Sequence, residues 1–278
     1  MGKKMDKLTV IIPVHDFSKN NFKLFCNAAK SVPENLKIIV STTEKARKKT
    51  HSKPEDEVQI VEEVGSLDNR VEFLTTSTGS SFCELVNAAV DTLEDGWFSI
   101  LELDDTYTDI WYNNAKKYIE FKPETSVFMV MEDIKDFNNG KYVGFGNAEA
   151  YASAFSNEIG YIDNECLQNY FDFYLTGSIF NVKDWKEVGG LKPLMKVTFW
   201  YEWMLRATNK GKKIFVIPKV CYTHNMDRKG SYVDIYRKMS NDEIQFYFDL
   251  AKRECFFKEQ REPEKYDYKP EEKTDKNS

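Results

Sequence analysis

The chain has 278 residues, of which 41% are hydrophobic and 14% aromatic. This composition supports a sizeable core, in one large α/β domain or two small ones, and it argues against a disordered chain. The formal net charge of -6 gives no general attraction for nucleic acid or an anionic membrane, so any phosphate binding must come from a local site.

The first predicted element is the apolar run LTVIIPV, at residues 8–14. It is too short to span a membrane, Pro13 interrupts it, and no small-residue cleavage site follows. The five cysteines stand in no zinc or redox spacing, and their odd number argues against a complete disulfide framework. The sequence therefore predicts a soluble protein of a reducing compartment, the cytoplasm.

Four apolar runs alternate with helix-compatible segments along the first hundred residues. Runs rich in β-branched residues lie at 8–14, 36–42 and 70–76, and WFSILEL at 97–103 follows the helical pattern of 81–93. The runs are continuous rather than alternating, which is typical of strands buried on both faces. The predicted fold class is thus α/β, with a mixed, mainly parallel sheet between helices and ligands at the carboxyl ends of its strands.

The second half continues this pattern with shorter elements. We predict helices at 110–119, 183–188, 199–211, 233–239 and 241–255, and strands at 126–132, 173–182 and 212–220. The Asn-Gly pair within 136–146 predicts a hairpin, and the aromatic, weakly periodic stretch 148–175 is expected to contact an acceptor. We expect one domain over 1–257, with a donor half at about 8–133, an acceptor half at about 134–232, C-terminal helices at about 233–257, and a flexible charged tail at 258–278.

An acidic cluster ends the fourth predicted strand. In ILELDDTY the residues Glu102, Asp104 and Asp105 directly follow an apolar run. Carboxylates at the end of a strand can hold Mg²⁺ or Mn²⁺, which prefer oxygen ligands. Alternatively, Asp104 or Asp105 caps the next helix, a position that Asp often occupies. The cluster taken alone leaves both interpretations open.

Five motifs in order resemble those of GT-A glycosyltransferases of the family 2 type. They are VIIPVHD, ILELDD, TGSIFNVKDWKEVGGL, YEWMLRA and VCYTHN, and they cover about residues 8–232. The resemblance implies the GT-A fold, a Rossmann-like nucleotide-diphospho-sugar transferase. It also implies an inverting transfer of a sugar from a nucleotide-sugar donor to a hydroxyl acceptor, assisted by Mn²⁺ or Mg²⁺.

The resemblance assigns roles to residues of this sequence. It implies Glu202 as catalytic base, Asp104, Asp105 and His224 as metal ligands, with His224 alternatively a phosphate contact, and Gly177, Trp200, Tyr201 and Trp203 as acceptor contacts. The implied donor contacts are Pro13, Val14, His15, Asp16, Thr43, Glu44, Ser80, Asn87, Glu102, Leu103 and Asp104. Each has a plainer alternative: a helix-surface glutamate, aromatic residues in a core, a structural histidine, and an ordinary βα loop.

Three departures from the family pattern concern the site. The second strand ends in STTEKA instead of an Asp-Asp-Gly-Ser type of turn, so the donor nucleotide stays open. Glu102 and Glu202 stand where the family usually has Asp. The acceptor also stays open between a glycan, a protein and a modified nucleic acid, and the lack of a basic amphipathic helix lowers the lipid option.

Two other function classes fit parts of the sequence. A nucleotidyltransferase shares a doubly wound sheet and acidic metal ligands, but VHDFSKNNF lacks the glycines of a triphosphate-binding loop. A catalytically inactive domain that binds a glycan or a protein through its aromatic segment would keep the fold without the reaction. Replacing Glu202 distinguishes this last class from the enzyme. If the wild type and the variant both bind the ligand and neither turns it over, the binding domain is favoured.

Overall fold

The computed structural model describes residues 7–44, 46, 70–76, 81–136, 141–146, 156–169, 175–226 and 231–254. These ranges contain ten strands and eight helices. The strands are β1 (Leu8–Val14), β2 (Lys37–Thr43), β3 (Val71–Thr76), β4 (Trp97–Ile100), β5 (Thr106–Tyr107), β6 (Val127–Asp136), β7 (Lys141–Gly146), β8 (Tyr161–Ile162), β9 (Ile179–Asn181) and β10 (Ile214–Met226). The helices are α1 (Lys19–Ser31), α2 (Phe82–Asp91), α3 (Trp111–Phe121), α4 (Asn164–Asn169), α5 (Val182–Val188), α6 (Phe199–Asn209), α7 (Tyr232–Lys238) and α8 (Asn241–Glu254).

All ten strands belong to one sheet. Its order is β3-β2-β1-β4-β9-β6-β10-β5, with β7 paired to β6 and β8 paired to β10. The pairs β1–β2, β2–β3, β1–β4 and β6–β10 are parallel, whereas β9 runs antiparallel between β4 and β6. The predicted α/β class with a mixed, mainly parallel sheet is therefore confirmed, and so is the β6–β7 hairpin.

Helices cover both faces of the sheet, as continuous apolar strands require. One core contains residues of α2, α5 and α6, and a second core contains residues of α1 and α3. Strand β6 contributes side chains to both cores, because Val127 and Met129 lie in the first core and Phe128 and Val130 in the second. We call the two sides of the sheet the α6 face and the α3 face.

Two local signals set the helix boundaries on the α6 face. Ser81 and Glu84 form a capping box at the start of α2, where each side chain bonds the backbone N–H of the other residue. Helix α5 begins after Asn181, whose side chain accepts from the backbone N–H of Asp184, and it ends at Gly189. No helix among the described residues combines the length and apolarity needed to cross a membrane.

Several elements differ from the sequence-based expectation. Strand β9 covers only Ile179–Asn181 instead of 173–182, since Gly177 adopts a left-handed φ of 75°. Strand β10 continues to Met226 past Pro218, with register shifts between Ile217 and Tyr222 that accommodate the missing N–H of proline. The short elements β5, β8 and α4 have too few residues for a periodic pattern. The expected tail at 258–278 lies outside the described residues.

Candidate donor-binding site

The acidic cluster forms a turn where β4 ends. The backbone N–H of Asp105 donates to the carbonyl of Glu102 at 3.1 Å, which closes the turn. Asp104 and Asp105 are buried, whereas Glu102 is half-buried. The turn therefore lies at the carboxyl edge of the parallel strands, where ligands bind in this class of fold. We call residues 102–105 the acidic turn.

Asp105 anchors the acidic turn to β10. Its Oδ1 accepts from the backbone N–H of Asn225 at 2.8 Å, and its Oδ2 accepts from the Tyr222 hydroxyl at 2.8 Å and lies 3.0 Å from Nδ1 of His224. The Asn225 side chain also donates to the carbonyl of Asp104. Both Asp105 oxygens are thus engaged inside the protein. The structure thus gives this carboxylate an anchoring role, and its expected role as a metal ligand stays a prediction.

His224 is a buried cation next to the acidic turn. Burial by itself would lower the pKa of its imidazole, but the charge and hydrogen bond of Asp105 raise that pKa to about 10, with Glu132 and Glu102 acting in the same direction. The ring is therefore protonated at neutral pH and donates Nδ1–H to Asp105. A protonated imidazole donates hydrogen bonds, which suits a phosphate contact, and both expected roles of His224 stay predictions.

Glu132 is an acid of this site that the sequence reasoning missed. It is 2% exposed on β6, opposite Tyr222 in the neighbouring strand β10, and its charge acts on His224. The signal was present in the sequence, since the apolar run SVFMVM ends in Glu132 and Asp133 just as ILEL ends in the acidic turn. Acids that follow two apolar runs, the acidic turn and Glu132, thus both act on His224.

The carboxylates near the acidic turn suit a divalent cation that also binds the phosphates of a substrate. Asp104 and Glu102 offer the oxygen atoms that Mg²⁺ and Mn²⁺ prefer. No group of three His, Cys, Asp or Glu side chains within the described ranges is close enough to hold a metal by itself. Mg²⁺ often binds to one or two carboxylates, with substrate phosphates and water completing its coordination. The residues fit a cation of that kind.

Tyr222 supports the acidic turn from behind. Its hydroxyl donates to Asp105 and accepts from the backbone N–H of Glu102 at 3.2 Å. Its ring lies edge-on to Tyr107 at 5.9 Å, and Tyr107 stacks on Trp111 at 3.8 Å. One hydroxyl therefore fixes both ends of the turn, and the ring that carries it is held by packing.

Removing this hydroxyl tests its role. Tyr222→Phe should lower the free energy of unfolding by about 1–3 kcal/mol, because Asp105 loses a donor and Glu102 N–H loses an acceptor in a buried place. Tyr107→Phe is the matched control, since it removes a buried hydroxyl that donates to Ser99 Oγ at 2.7 Å and does not contact the acidic turn in the described residues. It should cost about 1 kcal/mol. Urea denaturation measures both, and equal losses would contradict the anchoring role of Tyr222.

Gly177 packs against the same ring. Its N–H donates to Ile100 at 2.8 Å, its carbonyl accepts from Trp111 Nε1 at 2.9 Å, and a Cβ at this position would lie 2.4 Å from Tyr222 Cδ2. We predicted Gly177 as an acceptor contact. Here its backbone fills the space between β4 and Tyr222, which gives it a part in positioning the acidic turn.

The ends of β1 and β2 form the neighbouring part of the edge. Pro13 and Val14 pair with Ser41 and Thr42, and the Thr42 hydroxyl donates to Val14 at 2.8 Å. The expected donor contacts that follow these strands are accessible: His15 and Glu44 are exposed, and Asp16 and Thr43 are half-buried, while Leu103 of the acidic turn is buried. The structure thus brings most expected donor residues to one edge, and Ser80 lies outside the described residues.

Asn87 has its polar groups engaged away from this edge. Its Oδ1 accepts from the backbone N–H of Leu191 at 2.9 Å, and its Nδ2 donates to the Leu191 carbonyl at 2.8 Å. A Cβ on Gly190 would lie 2.4 Å from Asn87 Oδ1. Asn87 thus joins α2 to the turn after α5, and its expected donor contact stays a prediction.

Glu202 is enclosed in an ion pair. It is 0% exposed, and its two oxygens accept from Nε and Nη2 of Arg206 at 2.6 and 2.9 Å, with Lys192 Nζ at 3.1 Å from Oε1. Arg206 also donates to the carbonyls of Val188, Gly189 and Gly190. Glu202 is therefore neither a helix-surface glutamate nor an open base, since two cations already neutralise it.

The aromatic residues beside Glu202 lie in the core on the α6 face. Trp200, Tyr201 and Trp203 are 6%, 2% and 1% exposed. Trp203 stacks on Trp185, Trp200 stacks on Phe180, and the Tyr201 hydroxyl donates to Leu167. These rings pack with other core residues, which agrees with the plainer of the two interpretations, and their acceptor contacts stay a prediction.

Comparison with solved structures identifies the fold as that of GT-A glycosyltransferases. S. aureus TarS 1–349 in complex with UDP-GlcNAc is 16% identical at a TM-score of 0.59, and the match covers 88% of this chain and 65% of the TarS 1–349 chain. The mannosyltransferase PcManGT from Pyrobaculum calidifontis, in complex with GDP-Man and Mn²⁺, is 14% identical at a TM-score of 0.52, with 81% and 58% covered. The chain thus spans less than two thirds of either structure. No protein-family model matches it, and no curated protein matches it by sequence.

Proposed function

We propose that the protein is a glycosyltransferase that moves a sugar from a nucleoside diphosphate sugar to a hydroxyl acceptor, with inversion at the anomeric carbon. One observation carries the proposal: in a GT-A fold, the acidic turn lies at the carboxyl edge of the sheet beside the open ends of β1 and β2. The similar structures support it, because they are complexes with UDP-GlcNAc and GDP-Man.

The edge offers a place for each part of the donor. The nucleoside fits the accessible loops after β1 and β2, and the diphosphate fits next to the acidic turn, one strand further along the sheet. Asp104, with Glu102 beside it, would hold a Mn²⁺ or Mg²⁺ ion together with the diphosphate oxygens, and such an ion offsets the charge of the leaving group. Buried His224, whose pKa Asp105 raises to about 10, would offer a hydrogen-bond donor to the phosphates at the same place.

A non-catalytic domain is the second candidate. The observation that favours it is the ion pair of Glu202, which occupies the carboxylate that the family resemblance assigns as base. Such a domain would bind a nucleotide sugar or a glycan without releasing a nucleoside diphosphate.

For the enzyme, the proposed acceptor is a glycan, a protein or a modified nucleic acid. We place the protein in the cytoplasm because its cysteines form no disulfide pattern.

Donor turnover tests the proposal. The wild type and Asp104→Asn are incubated with UDP and GDP sugars, with and without Mn²⁺, while thermal stability and nucleoside diphosphate release are followed. We expect one donor to raise the melting temperature of the wild type in Mn²⁺ and to release nucleoside diphosphate, and Asp104→Asn to lose both effects while staying folded. Stabilisation without release would favour the binding domain, and no response to any donor would refute the proposal.

A further inference from the structure

The proposed donor site depends on how the acidic turn orients the carboxylate of Asp104. Three side chains of β10 contact this turn, and they hold different parts of it. Tyr222 and His224 contact the carboxylate of Asp105. Asn225 instead donates its side-chain amide to the backbone carbonyl of Asp104. This bond holds the backbone of the residue that carries the proposed metal-binding carboxylate.

Asn225 is itself fixed by the strand that carries it. It is 8% exposed, it pairs with Lys135 of β6, and its backbone N–H donates to Asp105 Oδ1 at 2.8 Å. Strand β10 also pairs with β5, which follows the acidic turn directly. A side chain on a paired, buried strand is held more precisely than one on a loop. The amide of Asn225 is therefore a rigid support for the turn.

The chemistry of asparagine suits this position. Its amide offers N–H donors without a charge. A lysine or arginine at residue 225 would bring a positive charge next to the carboxylates that are to bind a cation. An aspartate would place an acceptor against the carbonyl of Asp104. The neutral amide holds the backbone of Asp104 without neutralising its carboxylate.

We propose that Asn225 is a positioning residue of the donor site. Its side-chain amide fixes the backbone of Asp104, and through it the carboxylate, in the orientation that binds a divalent cation together with the donor diphosphate. Loss of a contact that orients a metal ligand commonly lowers metal affinity or activity about 10–100-fold. This assignment rests on the proposed function.

Mn²⁺ affinity tests the assignment without knowledge of the donor sugar or the acceptor. Mn²⁺ is titrated in the presence of UDP or GDP into the wild type, Asn225→Ala and Asn225→Gln, and the resonance signal of free Mn²⁺ is followed. Asn225→Ala loses the amide but keeps the backbone N–H that bonds Asp105. Its Mn²⁺ affinity should fall about 10–100-fold. Asn225→Gln retains an amide and should recover part of the affinity.

Asn164→Ala is the matched control for a general loss of stability. Asn164 is also an asparagine with 8% exposure, and its side chain donates to the Thr208 hydroxyl. It follows β8, which pairs with the first residues of β10, whereas Asn225 lies near the last. Asn164→Ala should lower the urea midpoint about as much as Asn225→Ala does. Its Mn²⁺ affinity should stay within about threefold of the wild type.

The outcomes separate this assignment from the function on which it rests. If the wild type binds Mn²⁺ with a nucleotide and Asn225→Ala does so within about threefold of that affinity, Asn225 does not position Asp104 and the transferase stands. Equal losses of affinity in Asn225→Ala and Asn164→Ala would also overturn the assignment, since a looser fold would explain both.

A second variant covers the case in which Asn225→Ala does not fold. Asn225→Leu has nearly the shape of asparagine but no donor, so the same loss of Mn²⁺ affinity is expected, and an affinity near that of the wild type would contradict the assignment. If the wild type binds neither Mn²⁺ with a nucleotide nor any sugar donor, the proposed function fails and this assignment fails with it.

Discussion

Glu202→Gln should lower the free energy of unfolding by about 3–5 kcal/mol, the usual loss when one partner of a buried ion pair is removed. The variant keeps the shape of the side chain but leaves the guanidinium of Arg206 and the ammonium of Lys192 without a counter-charge. Arg206 also holds the carbonyls of residues 188–190, so the turn after α5 should loosen as well. Urea denaturation followed by circular dichroism measures the change.

Glu187→Gln provides the matched control. Glu187 also pairs with a lysine, Lys212, but its side chain is 64% exposed, so its loss should change the free energy of unfolding by less than about 1 kcal/mol. If Glu202→Gln is as stable as this control and yet loses nucleoside diphosphate release, the carboxylate acts as a base and our structural assignment is wrong. A large loss of stability in Glu202→Gln alone supports the ion-pair role.

Gly177→Ala should lower the free energy of unfolding by about 2–5 kcal/mol through two separate costs. A left-handed φ costs an L-residue about 1–2 kcal/mol, and the added methyl group, 2.4 Å from Tyr222 Cδ2, costs about 1–3 kcal/mol as overpacking. The Tyr222 ring cannot yield easily, because its hydroxyl is held by Asp105 and Glu102. Donor-induced stabilisation should therefore weaken together with the fold.

Gly211→Ala isolates the first of these costs. Gly211 has a φ of 74°, nearly the same as Gly177, but a Cβ there would meet nothing within 4 Å. Its substitution should cost only the backbone term of about 1–2 kcal/mol and leave donor-induced stabilisation unchanged. Equal losses of stability in the two variants, measured in the same urea titrations, would show that the contact between Gly177 and Tyr222 does not support the acidic turn.

Much of the fold is predictable from the sequence because its signals are local. The run LTVIIPV becomes β1 at Leu8–Val14, and the Asn-Gly hairpin and the helix of residues 199–209 form close to where their patterns indicate. The two-residue strands β5 and β8 carry no periodicity, and the length of β9 depends on the φ of Gly177, which a sequence pattern does not express. The existence of β5 and β8 and the length of β9 depend on contacts with neighbouring strands, not on the local composition of the sequence.

The sequence predicts where the acidic residues gather, but it does not predict the contacts that each of them makes. Acids at the ends of two strands indicate a polar edge, and the acidic turn and Glu132 do meet there. The role of an acid depends on its partners in space, and those are distant in sequence: Asp105 meets Asn225, which is 120 residues away. The aromatic residues around Glu202 are equally consistent with a platform and a core until burial is known.

Binding of Mn²⁺ with and without a nucleoside diphosphate tests the central claim, that the acidic turn is a donor diphosphate site. The electron paramagnetic resonance signal of free Mn²⁺ falls when the ion binds, so its loss beyond that caused by the nucleotide alone measures the Mn²⁺ bound to the protein. Since the described residues offer too few ligands for a metal alone, we predict that the wild type binds Mn²⁺ tightly only when UDP or GDP is present, and that Asp104→Asn loses this binding. Mn²⁺ binding that is independent of both nucleotides, or that persists in Asp104→Asn, would contradict the account.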